Sequence, residues 1–101
     1  MNRLVELAEK EMARKEILEI CRQSIPLGAD GKVLQAVLRK SGYELTEQQV
    51  DEQLYYLQGR KLVELQDASS RTLGIRRTIA RITPEGMDVL EGNGTAEGVG
   101  D

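Results

Sequence analysis

A chain of 101 residues is the size of one small domain, which buries roughly 60 to 65 per cent of the surface that its unfolded form exposes. Hydrophobic residues make up 40% and charged residues 31%, as in ordinary globular proteins, and the net charge is -3. Phe, Trp and His are all absent. We therefore expect an aliphatic core with few rings for stacking nucleobases, and the commonest general base and metal ligand is missing.

Enzymatic and metal-binding functions have little support in the sequence. The single cysteine, Cys21, shares a helical stripe with Ile17 and Ile20, which predicts a buried thiol whose pKa is raised and whose reactivity is low. No Gly-rich phosphate-binding loop follows a predicted strand. We therefore predict a protein that is not an enzyme and that has no cofactor and no metal site.

Membrane insertion and secretion are not expected either. No apolar run approaches the roughly 20 residues of a membrane-spanning helix, and the N-terminal sequence MNRLVELAEKEM is too charged for a signal peptide. A lone cysteine requires no oxidising compartment. These features together predict a cytoplasmic protein.

Residues 2–24 are predicted to form one long helix, because they contain many strong helix formers and neither Gly nor Pro. The second half carries the apolar stripe of a helix packed on one side. The first half carries a separate apolar patch that need not join the core, and we expect it to form a homodimer interface. This N-terminal patch comprises Leu4, Val5, Leu7, Ala8 and Met12.

Two shorter helices follow, each with a recognisable start. Asp30 is suited to cap a helix that extends to about Lys40. Thr46 begins the third helix, and Gln49 three residues later completes a capping box. The inward face of the third helix is predicted to hold Val50, Leu54 and Leu57, and its outer side to hold Gln48, Gln49, Glu52, Tyr55 and Tyr56.

The remainder of the chain predicts a hairpin and a short helix. Residues 62–66 and about 73–82 have the aliphatic, β-branched character of strands, and the polar sequence DASSRT separates them. Thr83 and Pro84 occupy the N-cap and first positions of a fourth helix. We expect residues 1–92 to form a single domain and the Gly-rich residues 93–101 to be a disordered tail.

Charge is unevenly distributed along these elements. The third helix, residues 46–59, carries Glu47, Asp51 and Glu52 and no base. Residues 60–82 hold six bases against two acids, and residues 83–101 hold five acids and no base. Basic charge is therefore concentrated in the hairpin, between two acidic helices.

Residues 30–91 resemble the winged helix-turn-helix domains of small bacterial and phage regulators, such as the MarR-like and PadR-like groups. The long first helix and the overall size also look like a small winged-helix protein of Mu-like prophages. The resemblance implies a mainly α fold with a three-helix core, a two-stranded wing and a short C-terminal helix, preceded by the long N-terminal helix. The residues that carry it are Thr46, Val50, Leu54, Leu57, Gly59, Leu62 and Val63, followed by Ile82, Thr83, Pro84, Glu85, Gly86 and Leu90.

In such domains the third helix enters the major groove and the wing contacts an adjacent groove or the phosphates. Gln suits this position chemically, because its amide can pair with N6 and N7 of adenine together. The resemblance therefore implies the following DNA-binding residues: Thr46, Gln48, Gln49, Glu52, Gln53 and Tyr56 on the third helix, and Arg71, Arg76 and Arg77 on the wing.

Two functions remain open. The first is a dimeric regulator of double-stranded DNA whose contact is dominated by the basic wing, since acids near phosphates weaken binding. The second is a protein-binding adaptor or assembly factor that uses Tyr55, Tyr56 and the N-terminal patch as interfaces. Pairing of the wing arginines with acids of the third or last helix is the competing interpretation of the basic hairpin.

Overall fold

The computed structural model of the protein describes residues 3–92 and 98–100. Four helices and a small sheet follow one another in the predicted order, with one additional short strand. The elements are α1 (Arg3–Gln23), β1 (Ala29–Asp30), α2 (Gly31–Lys40), α3 (Glu47–Gly59), β2 (Val63–Asp67), β3 (Thr78–Ile82) and α4 (Pro84–Leu90).

The hydrogen bonds of the cap side chains confirm the predicted starts of α2 and α3. The Asp30 carboxylate accepts hydrogen bonds from the amides of Lys32 and Val33, at 2.7 and 3.3 Å. Thr46 and Gln49 form the reciprocal capping box, with hydrogen bonds of 2.9 and 3.1 Å. Each cap satisfies amides that have no partner inside the helix, so these short side chains fix where α2 and α3 begin.

The sheet has three antiparallel strands in the order β1-β3-β2, so a third strand, β1, extends the predicted two-stranded hairpin. In β1, Ala29 pairs with Ala80 and Asp30 pairs with Ile79. A strand of two residues is too short to show an alternating pattern in the sequence. Gly28 precedes it with a φ of +84°, and a Cβ there would lie 2.7 Å from the Ala80 carbonyl oxygen, so only glycine allows this close approach.

The hairpin is shorter and its loop is longer than the sequence predicts. β3 begins at Thr78 rather than near residue 73, and residues 68–77 form an exposed loop closed by a single bridge between Ser70 and Ile75. β2 and β3 pair from Val63 opposite Ile82 to Asp67 opposite Thr78. The arginines at 71, 76 and 77 therefore lie on the loop and not within a strand.

The core is aliphatic, as predicted, and lies between α1, α2, α3 and the inner face of the sheet. Its fully buried side chains include Ile17, Leu18, Leu34, Leu38, Val50, Leu54, Leu57 and Val63. Cys21 is buried among them, and burial raises the pKa of its thiol to about 12. None of the helices in residues 3–92 is long and apolar enough to cross a membrane.

The first half of α1 extends beyond this core, and all of its side chains from Arg3 to Lys10 are exposed. Leu4 is the most exposed of the N-terminal patch, with 75% of its surface accessible, and Val5, Leu7 and Met12 are about half exposed. The patch therefore lies outside the core, as the sequence predicts. Its role as a dimer interface stays a prediction.

The C-terminal residues 98–100 pack against α1, although the sequence predicts a disordered tail from residue 93. Val99 joins the core cluster, and the Gly100 amide donates to the Glu11 carbonyl at 3.1 Å. The predicted disorder of residues 93–97 and 101 falls outside the described residues. The glycine-rich composition alone does not predict this contact, because the contact depends on a crevice formed by residues distant in sequence.

Helix α4 packs closely against Leu62 and Ile82 because Gly86 has no side chain. Gly86 is buried, and a Cβ on it would lie 2.4 Å from the Leu62 carbonyl oxygen and 2.7 Å from Ile82 Cγ1. The N-cap Thr83 lies beside this contact, where its hydroxyl donates to the Lys61 carbonyl and accepts from the Gly86 amide. The predicted Thr83-Pro84 start of α4 is thereby confirmed.

We expect Gly86→Ala to lower the free energy of unfolding by about 2 kcal/mol or more, because the added methyl group must displace backbone. Gly59→Ala is the matched control, since nothing lies within 4 Å of its Cβ position and alanine favours the helical state. Urea denaturation of the two variants measures the difference. Equal effects would contradict the proposed close packing at Gly86.

Candidate nucleic-acid interface

The rotation of α3 decides which of its side chains can meet a ligand. Because Val50, Leu54 and Leu57 are buried, the opposite side of the helix presents Gln48, Glu52 and Tyr55 to solvent. Tyr55 is 64% exposed. Glu47 is also exposed and Asp51 is half-buried, so the outer face of α3 is acidic along its first two turns.

Several predicted DNA-binding residues of α3 are engaged elsewhere in the fold. Thr46 and Gln49 are exposed, but their side chains hold each other's backbone amides in the capping box. The family resemblance implied that Gln53 contacts DNA, but Gln53 is only 6% exposed. Its Oε1 accepts a hydrogen bond from Arg14 Nε at 2.6 Å. Of the three predicted glutamines, Gln48 is the one on the outer face, and its side chain makes no hydrogen bond within residues 3–92 and 98–100.

Tyr56 also departs from its predicted position. Its ring lies beneath the Arg14 guanidinium, with 3.7 Å between the Arg14 Cζ and the ring centroid, and Arg60 approaches at 5.3 Å. The side chain is half-buried between α1 and α3. Sequence spacing put Tyr56 on the outer half of the helix, but a long arginine from α1 turns it toward the neighbouring helix.

The wing arginines divide into two groups. Arg71 and Arg76 are exposed on the loop between β2 and β3. Arg77 pairs with Asp30, with 2.8 Å between Nε and Oδ2, and Arg81 donates to Gln66 Oε1 at 2.5 Å. Pairing within the fold, the competing interpretation, thus holds for Arg77, although its partner is the cap of α2 rather than an acid of α3 or α4.

The Asp30 carboxylate contacts both the first amides of α2 and the Arg77 side chain. Burial raises the pKa of Asp30, but hydrogen bonds from the Lys32 and Val33 amides and from Arg77 outweigh this and hold the pKa below its ordinary value. Asp30 therefore caps α2 and fixes Arg77 with the same charged group.

A cleft of about 700 Å³ separates the outer face of α3 from the wing. Its charges are mixed, with more acids than bases, and Lys32 beside the α2 cap contributes a base that sequence reasoning did not single out. A base two residues after an N-cap is the signal that could have identified it. The charged residues that line the cleft are Asp30, Glu47, Asp51, Asp67, Lys32, Arg76 and Arg77.

Metal binding has no structural support in the described parts of the chain. Within residues 3–92 and 98–100, no group of three or more His, Cys, Asp or Glu side chains is arranged to hold a metal ion. The acids of α3 are instead spread along an open helix face and around the cleft.

Comparison with known proteins identifies the fold. No family model and no curated protein matches the sequence. A solved structure of hsRosR-S1 in a complex is similar, with a TM-score of 0.62 and 20% sequence identity. The fold is winged-helix-like. The similarity covers 79% of this chain and 65% of that chain, so this protein corresponds to less than two thirds of its structural neighbour.

In a winged-helix-like fold, α2 and α3 form the helix-turn-helix pair, and β2 with β3 forms the wing. At 20% identity the likeness concerns the fold alone. The MarR-like, PadR-like or phage grouping therefore stays a prediction, as do the individual DNA-binding residues.

We expect Asp30→Asn to reduce stability by roughly 0.5 to 1 kcal/mol at pH 7, because asparagine keeps the cap but loses the charge that faces Arg77 and the helix dipole. The folded pKa of Asp30 is lowered, so its contribution is present above the ordinary value of 3.8 and is lost as the pH falls through the folded pKa. Denaturation of both proteins across pH 2 to 7 measures the difference. A difference that persists at pH 2 would contradict the assignment, and Asp88→Asn, on the exposed side of α4, serves as the control.

Proposed function

We propose that this protein is a regulator that binds double-stranded DNA and that its wing supplies most of the phosphate contacts. The observation that supports this proposal is the position of Arg71 and Arg76, both exposed on the long loop of a winged-helix-like fold. The outer face of α3 offers acids and no base, so it cannot supply the counter-charge that phosphates require.

The cleft beside α3 is where a phosphate strand would pass if α3 lay in the major groove. Lys32 and Arg76 would face such a strand, whereas Arg77 is held by Asp30. Glu47 and Asp51 line the opposite wall and would repel it. The proposal therefore includes shallow insertion of α3, with the duplex displaced toward the wing.

Base reading by α3 would fall mainly to Gln48. It is exposed in the first turn of α3, and its amide has the donor and acceptor that adenine recognition needs. Gln49 and Gln53 are committed to the capping box and to Arg14. Only one of the three glutamines predicted to contact DNA is therefore available, which supports a protein of modest sequence preference rather than a stringent reader.

The same proposal includes a homodimer formed through the N-terminal patch. Exposed apolar side chains at positions 4, 5, 8 and 12 recur at the spacing of one helix face, beyond the reach of the core. Pairing two copies of α1 would cover these side chains and would present two wings to a duplex.

A second candidate function is protein–protein contact. It is favoured by the acidic outer face of α3 together with Tyr55, which is an exposed ring of the kind enriched at interfaces. A basic surface on a protein partner would complement Glu47, Asp51 and Glu52 better than a phosphate backbone does. Failure to retard mixed-sequence duplex DNA at low salt would favour this second function.

The double variant Arg71→Ala/Arg76→Ala is expected to weaken binding to a mixed-sequence duplex roughly tenfold at low salt and to reduce the slope of log K against log salt by about 1.8, or 0.9 for each lost phosphate contact. Fluorescence anisotropy at several salt concentrations measures both quantities. Arg22→Ala is the matched control, because Arg22 pairs with Glu19 on α1. An unchanged slope in the double variant would contradict a wing-dominated contact.

Val5→Glu is expected to convert a homodimer to a monomer, because two carboxylates would be buried against each other in the paired helices. Size-exclusion chromatography with light scattering measures the mass directly. Val33→Glu on α2 is the control, since Val33 is equally exposed but lies outside the N-terminal patch. A wild-type protein with the mass of one chain would refute the proposed dimer.

A further inference from the structure

The crevice between α1 and α3 beside Arg14 holds the C-terminal strap, residues 98–100. We propose that this Arg14 crevice is a receptor site for a short, bent peptide and that the strap is its ligand within the same chain. A partner that carries the same glycine–small apolar residue–glycine pattern in an accessible segment would displace the strap. This inference is independent of whether the protein binds DNA.

Three contacts hold the strap, and each recognises a different part of it. Arg14 Nη1 donates to the Gly98 carbonyl at 2.9 Å, and the Gly100 amide donates to the Glu11 carbonyl at 3.1 Å. Between them, the Val99 side chain is only 9% exposed and belongs to the core cluster. The crevice therefore contacts two backbone groups of a bent segment and one small apolar side chain.

Gly98 is the position at which the crevice is selective. Its φ is +82°, which side-chain-bearing residues rarely adopt, and a Cβ there would lie 1.9 Å from Tyr56 Oη and 2.6 Å from Tyr56 Cζ. Gly100 differs, because a Cβ on it would make ordinary contacts of 3.5 Å with the Glu11 backbone. The site thus requires glycine at the first position and tolerates alanine at the third.

Two groups of α3 hold Arg14 in addition to the strap. It is 9% exposed, and Gln53 Oε1 and the Tyr56 ring fix its guanidinium from two sides. Within the described residues no carboxylate pairs with it, so its partners are an amide, a ring face and the strap carbonyl. A buried guanidinium needs its donors satisfied, and a peptide carbonyl at this point supplies the acceptor.

The attachment is weak enough to exchange. Within residues 3–92 and 98–100, two hydrogen bonds and one valine side chain offset the entropy lost when the strap is ordered. Only five residues of the sequence separate the strap from Gly92, so its effective concentration at its own crevice is high. A free peptide of the same sequence therefore competes poorly with the wild-type chain but binds a chain whose strap cannot dock.

The test uses the full-length chain with Gly98→Val, which excludes the strap, and Gly100→Ala as the matched control. The probe is a fluorescently labelled peptide of residues 93–101, NGTAEGVGD. We expect saturable binding to the Gly98→Val chain that is at least tenfold tighter than binding to the wild-type or Gly100→Ala chains. Nitration of Tyr56 by tetranitromethane, mapped by peptide mass, should rise several-fold in Gly98→Val alone.

Each contrary result would overturn the proposal. Equal nitration of Tyr56 in the wild-type and Gly98→Val chains would mean that the strap does not cover the crevice. Absence of peptide binding to the Gly98→Val chain, with Tyr56 exposed, would mean that the crevice is not a receptor. Equally tight binding of a peptide that carries Gly98→Val would show that the crevice does not select glycine at this position. Circular dichroism of both variants establishes that α1 and α3 remain folded.

Discussion

The rotation of α3 about its own axis is the constraint on which the other features depend. Burial of Val50, Leu54 and Leu57 fixes that rotation, and the hydrogen bond from Arg14 to Gln53 extends the buried face toward α1. Transfer of three aliphatic side chains from water is worth several kcal/mol, far more than any surface ion pair. The helix therefore cannot turn to hide its acids, and Glu47, Asp51 and Glu52 must meet whatever approaches its outer face.

This fixed acidic face separates two tasks that a single recognition helix usually combines. Positioning on a duplex depends on cations near phosphates, whereas sequence selection depends on side chains that reach base edges. Here Arg71 and Arg76 are exposed on the wing, and the amide of Gln48 is exposed on α3. In the proposed function these two tasks would fall to different elements, which the Arg77–Asp30 pair connects at the α2 cap.

The sequence predicts the local features well and the distant ones poorly. The Thr46–Gln49 capping box and the Thr83-Pro84 helix start depend on side chains three residues apart or fewer, so their patterns are legible in the chain itself. The sequence gives the wrong position for Gln53 because its partner Arg14 lies 39 residues away. The strap is not predicted because Gly98 contacts Arg14 across a separation of 84 residues. Strand β1 is not predicted because two residues are too few to show a periodic pattern. A helix cap can be recognised from neighbouring residues in the sequence, whereas a crevice between helices forms only when residues far apart in the sequence pack together.

Arg14 connects these misplaced features into one unit. Its guanidinium contacts Gln53 and Tyr56 on α3 and Gly98 in the strap, so a displaced strap would first alter the environment of the inner edge of α3. Release of the strap would remove one of three groups that hold the guanidinium and would leave a cation beside Tyr56. The rotation of α3 would survive, since its aliphatic face remains buried, but the guanidinium at its edge would become more exposed to solvent. The surroundings of α3 can therefore change through α1 and the strap without movement of α3 itself.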